Sequence, residues 1–368
     1  MLSRNYHSTN FITGLRAIAV LMVFMIHAGG GGLREMFSFG ERFENMGKYG
    51  VDIFFVISGF TIFYQFYNKN YSLRNFLILR LLRVSIPYYP IIIVLSLYSF
   101  LGGRDYNYWA IKFCDGSIDI VNFFTHIFYI SYIDLKYANT IIGVEWTLAI
   151  EVFYYFLLGY MIYVLKKLSS IKSVMFYLVL SFILSIGLVF IGKLMTNALF
   201  ISWMPFKYGY MFLLGGLAYH LREHIHQKYN KAKINNFSNI TIIIVTLLFF
   251  IFMFATFIPN KTTINQLFFS LLTFLLIVFV DDNSSFSKIF TNKIMIFLGS
   301  ISFSFYLIHL LILKFRIFVT GIESEFLLFI YFFSIIVLIS TIYYYVFEII
   351  IYRKFKNKIK SIIRKKND

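Results

Sequence analysis

The chain has 368 residues, of which 59% are hydrophobic, 21% aromatic and only 14% charged. A soluble domain of this size carries about 25% charged residues and lacks repeated apolar runs of about 20, so the composition excludes an ordinary globular protein and points to a polytopic membrane protein. The formal charge of +17 lies in short connectors and in the tail YRKFKNKIKSIIRKKND, a placement that fits membrane topology better than a nucleic-acid partner.

Taken in chain order, about ten segments are long and apolar enough to cross a bilayer: 11–29, 49–67, 84–102, 141–165, 172–192, 203–220, 240–258, 264–280, 294–318 and 326–350. This pattern predicts an all-α, polytopic integral membrane helical bundle with both termini cytoplasmic. Residues 1–350 form its transmembrane domain and 351–368 a basic cytoplasmic tail. In that orientation the inner side carries about twice as many Lys and Arg as the outer side, as the positive-inside rule requires. The first run is too long for a signal-peptide core and lacks a small-residue cleavage site, so it reads as an uncleaved span. The segment IDIVNFFTHIFYISYI, 118–133, is apolar but short, and reads as an interfacial or re-entrant element. No internal repeat is visible, so the inverted-repeat signature of many transporters is missing. Cys114 is the only cysteine, so an internal disulfide and a cysteine-rich metal site are excluded, and no metal is expected.

Ionisable side chains inside such spans are costly and mark function or pairing. The first span, GLRAIAVLMVFMIHAGGGG, holds Arg16 and His27. Eleven residues turn a helix by roughly 1100°, which leaves only about 20° after three full turns, so the two share one face about 16 Å apart along the axis. The glycines Gly29 to Gly32 then release the chain from helical geometry.

The second span begins YGVDIFFVISGF. Asp52 near its outer end is expected at the depth of His27, where a carboxylate would fix the imidazole; the bland reading is a helix cap. Ser58 and Gly59 are small enough to admit a neighbouring helix or a ligand. The inner connector FLILRLLRVSIPYYP places Arg80 and Arg83 on one helix face, able to converge on phosphate oxygens or to serve as ordinary positive-inside anchors.

In GVEWTLAIEVFYYF, Glu145 reads as interfacial. Glu151, about 9 Å deeper, needs a partner or a proton and is the stronger functional candidate. Trp146 fits either the aromatic belt or a site wall. LGSISFSFYLIHL then brings His309 to the depth of His27, with Tyr306 on the same side one turn earlier. A lone membrane histidine is as often a helix-bridging hydrogen-bond donor as a catalyst, so the pair at one depth carries more weight than either.

These segments resemble the membrane-bound acyltransferase family 3: GLRAIAVLMVFMIH with its Arg-then-ten-then-His spacing, GVDIFFVISGF, RLLR followed by a proline, EWTLAIEVFYY and SFYLIH, in the family's order over most of the chain. The resemblance implies an O-acyltransferase of the bacterial inner membrane that moves an acyl group from cytoplasmic acyl-CoA, usually acetyl-CoA, to a carbohydrate hydroxyl on the outer side. That acceptor would be an O-antigen or another lipid-linked or polymeric glycan. It implies that His27 is the catalytic histidine, Arg16 its paired basic residue, and Arg80 with Arg83 the motif that meets the CoA phosphates. Glu151 and His309 match further motif positions. Asp52 or Glu151 would stabilise the imidazolium, whether transfer is direct or passes through an acyl-His27 intermediate; Trp146, Tyr306 and Ser58 are expected to line the substrate site. Many family members carry an added extracytoplasmic hydrolase-like domain, and this chain departs from them. Three other readings stand beside this one: a different donor such as succinyl-CoA, a proton-coupled secondary transporter using the same buried groups, and a structural subunit of a polysaccharide export machine.

Overall fold

A computed structural model describes residues 10–32, 40–69, 72–104, 108–194, 201–256, 262–314 and 321–364. Among them the secondary structure is helical, with no strand. The helices are α1 (Asn10–His27), α2 (Gly40–Met46), α3 (Gly50–Lys69), α4 (Leu73–Phe100), α5 (Tyr108–Cys114), α6 (Ile120–Ile127), α7 (Trp146–Tyr163), α8 (Ile171–Leu194), α9 (Gly209–Lys228), α10 (Lys231–Ile251), α11 (Thr262–Phe279), α12 (Lys293–Leu313), α13 (Glu325–Tyr343) and α14 (Tyr352–Arg364), with a four-residue helix at Lys288–Thr291.

Eight helices are long and apolar enough to cross a membrane, among them a single rod over Gly40–Asn68 and another over Glu325–Ile359. Two of the expected spans are helical but fall short of that standard. The segment expected at 264–280 is the shorter helix Thr263–Phe279. The one expected at 203–220 becomes α9, whose second half carries His220, Arg222, Glu223, His224, His226 and Lys228. The 118–133 segment does not cross: α6 has eight residues, about 12 Å against a hydrocarbon core of about 30 Å. The tail begins as a continuation of the last long helix, joined to it by a π-helical stretch, Tyr344–Ile351.

The chain divides into two compact units. The first comprises Met1–Tyr64, Ser170–Met175 and Met211–Ser302; the second comprises Gln65–Ser169, Phe176–Tyr210 and Phe303–Asp368.

In the first unit α1 is held at both ends. Asp282 accepts from the amides of Asn10 and Phe11 at 3.0 and 2.7 Å, which satisfies donors that an open helix start leaves orphaned. Close helix contact needs glycine here, because a Cβ on Gly14 would run into the Phe290 carbonyl and one on Gly299 into that of Thr13. Further along, Gly47 and Gly50 lie against the backbone of α1 between Ala19 and Ile26. The α3–α9 contact is built the same way, with Gly59 against Phe212 and Gly215 against Val56, as small residues permit between membrane helices. Arg222 on α9 donates to the carbonyls of Ile277 and Val280 at 2.8 and 2.6 Å and pairs with Asp281 at 3.9 Å, capping the end of α11. The second unit is tied by Tyr343, which donates to the Pro87 carbonyl, and by Ser304, which donates to Glu348 at 2.6 Å.

Candidate active site

In the first unit, Arg16 and His27 share one side of α1, a helix buried near Arg16 and, at Phe11 and Gly14, on the opposite side as well. Ile12, Val20 and Val23 lie within about 40° of Arg16 around the helix and are all buried, whereas Ile18, Leu21 and Met25 lie opposite and are only half-buried. Arg16 is half-buried and His27 exposed within that apolar surround. The His27 ring hydrogen-bonds the Val23 carbonyl one turn back. A ring N–H committed to a carbonyl fixes the tautomer.

Asp52 does not take the place expected of it. Gly50 faces α1, and two residues further the helix has turned by roughly 200°, so Asp52 points away from α1. It receives a hydrogen bond from Gln266 on α11 at 3.4 Å instead. The antiparallel register also sets its depth. Gly47 lies level with Met22 to Ile26 and Gly50 with Ala19 to Val23, so Asp52 is about 11 Å along the axis from His27 rather than beside it. Ser58 is buried, and Thr61 donates to its carbonyl at 3.0 Å; the neighbour that Gly59 admits is α9.

In the second unit Arg80 lies inside a continuous helix of 28 residues, not in a connector as its sequence suggested. It is 4% exposed. Its guanidinium lies over the Phe76 and Tyr155 rings, 5.7 and 5.2 Å from their centroids, while its Nε and one terminal nitrogen have no hydrogen-bond partner. Arg83, one turn on, is half-buried. Glu151 accepts from the Tyr155 hydroxyl at 2.6 Å and lies within electrostatic reach of Arg80. Arg80, Tyr155 and Glu151 thus form one polar group joining α4 to α7.

Glu145 stands at the boundary of its span, immediately before α7, and is the more deeply buried of the two glutamates at 1% exposure, a burial the sequence did not reveal. It precedes the first turn of α7 and accepts from the amides of Ile141, Gly143 and Val144 at 2.7, 2.6 and 2.9 Å. His126, at the end of α6, completes the set at 3.2 Å. Three backbone N–H donors on one carboxylate stabilise its ionised form. The motif held the residue, but no local pattern announces that the preceding loop folds back on it. The Val144 carbonyl in that loop accepts from Tyr306 at 2.8 Å, whose hydroxyl also meets Thr147 at 2.9 Å. His309 is fully buried, with Nδ1 on the Tyr306 carbonyl at 2.7 Å. Tyr306 and His309 therefore come together as their spacing predicts. Trp146 is half-buried, its ring 5.5 Å from that of Tyr208. Among the described residues no group of three His, Cys, Asp or Glu side chains could hold a metal ion.

A family model described as an acyltransferase domain matches residues 9–346. The chain belongs to acyltransferase family 3. It is a multi-pass membrane acyltransferase, and the matched stretch contains every candidate residue from Arg16 to His309 while stopping short of α14. No curated protein and no solved structure matches this acyltransferase.

Proposed function

We propose that this acyltransferase moves an acetyl group from acetyl-CoA to a hydroxyl of a surface carbohydrate, in the inner membrane of a bacterium with both termini in the cytoplasm. The observation that carries the reading is Arg80. With Glu151 in reach but two nitrogens unpartnered, the buried guanidinium can still take up a further anion, and the acyl donor that best supplies one is a thioester of a phosphate-bearing carrier. Arg83, one turn away, adds positive charge suited to the remaining phosphates.

His27 is the proton acceptor. Its tautomer presents a basic nitrogen that takes the proton of the acceptor hydroxyl as the oxygen attacks the thioester carbonyl. The tetrahedral intermediate collapses with cleavage of the C–S bond, and the departing CoA thiolate takes up the proton from the imidazolium. Asp52 is left out of this step because it faces Gln266. Glu151 acts through Tyr155 on Arg80, and Tyr306, His309 and Trp146 are the residues of the second unit assigned to contact with substrate. Ser58, buried in α3, is assigned to contact with substrate.

The experiment is quantification of acetyl esters on surface glycans from cells carrying wild type, His27→Ala or Arg80→Ala, with membrane levels of each protein measured in parallel. Loss of ester at normal protein levels is expected for both; retained ester with His27→Ala removes the histidine from the reaction. An ester of different mass, such as succinyl, would keep the mechanism and replace the donor.

A further inference from the structure

The last long helix is longer than a membrane needs. Glu325–Ile359 is one apolar rod of 35 residues, about 52 Å at the helical rise, against a hydrocarbon core of about 30 Å. Its first half is uncharged beyond the opening Glu325, so the excess length emerges at the other end, where the charge begins. Glu348, the last acid before the tail, receives the Ser304 hydroxyl and is committed inside the second unit. From there α14 reads YRKFKNKIKSIIR, with six Lys or Arg and no acid.

These residues are sorted by side. Tyr352, Phe355 and Ile359 fall within about 60° of one another around the helix, while Arg353, Lys354 and Lys358 point elsewhere and are exposed. Phe355 is 48% exposed beside them. Lys356 lies at the edge of the apolar strip, its ammonium 5.7 Å from the Tyr352 ring, with its stem along apolar surface and its charge at the margin. The exposed cations Arg353, Lys354 and Lys358 flanking an exposed aromatic, on a helix leaving a span, match the layer where acyl chains give way to headgroups.

We propose that α14 binds the anionic phospholipid headgroups of the leaflet from which it emerges, Phe355 entering the acyl boundary and the lysines meeting phosphate. The family match ends at residue 346, before α14, and the proposal does not rest on the acetyl-transfer reading. A soluble polyphosphate would satisfy the cations but leaves the exposed Phe355 without a role.

The test uses the full chain in detergent, equilibrated with equal amounts of phosphatidylglycerol and phosphatidylcholine, and mass spectrometry of the lipid retained. Wild type should enrich phosphatidylglycerol tenfold or more, consistent with about fivefold per cation near an anionic surface. A chain carrying R353Q, K354Q, K356Q and K358Q together should lose that preference while keeping the same monodispersity. F355S should lower total lipid retained without changing the headgroup ratio. Excess inorganic phosphate at constant ionic strength should leave the enrichment intact. Equal enrichment in wild type and the fourfold variant, no enrichment in either, or displacement by inorganic phosphate would each overturn the proposal.

Discussion

Arg80 and Arg222 are both buried guanidinium groups on helices, one in each unit, and they are served very differently. Arg222 reaches two backbone carbonyls that the end of α11 leaves open and has Asp281 beside it. Arg80 lies between two aromatic rings, with two of its nitrogens unpartnered. A cation whose donors are all claimed by its own chain is part of the scaffold. One left short of acceptors is held at a cost that a ligand can relieve.

That contrast can be broken by substitution. Arg222→Ala removes one partner of a buried pair and should cost about 3 kcal/mol or more of stability, seen as a lower melting temperature in detergent with no separate effect on donor affinity. Glu145→Gln should come next, at about 1 to 3 kcal/mol, because an amide keeps the shape but replaces an acceptor with a donor facing backbone N–H groups. Glu145→Asp, which retains the charge, should recover part of the loss in the same melting measurement. Arg80→Ala should leave stability nearly unchanged while weakening acyl-CoA binding about tenfold. A melting temperature lowered as far as that of Arg222→Ala would end the distinction between the two arginines. Arg80→Lys should give the smallest effect, a few-fold rise in the apparent donor constant, since it keeps charge but loses the planar fork. Full recovery by lysine would mean that only a point charge is needed.

Much of the fold was legible because a bilayer imposes a coarse requirement, some 20 apolar residues per crossing, that hydropathy reads directly. The eight long helices follow from it. It failed where a helix is not uniformly apolar, as in the charged half of α9, and where a loop precedes a span, as at 141–145. In the candidate site, properties of one helix were legible: the shared face of Arg16 and His27, and the meeting of Tyr306 with His309. Properties that need a second helix were not. Asp52 was expected at His27's depth because hydropathy gives distance along a span, whereas its neighbour is set by which glycine faces which backbone. Glu145 was placed at the span boundary, where it stands, but sequence records no burial supplied by a folded-back loop and by His126.

The glycines around α1 have a consequence for selectivity. Gly14, Gly299, Gly47 and Gly50 each leave no space for a methyl group beside a facing backbone, so the rod that carries Arg16 and His27 lies in direct backbone contact with its neighbours. On the proposed reading its two ionisable groups set a spacing of about 16 Å along one helix, and a donor cut short in its flexible arm should be a poorer substrate.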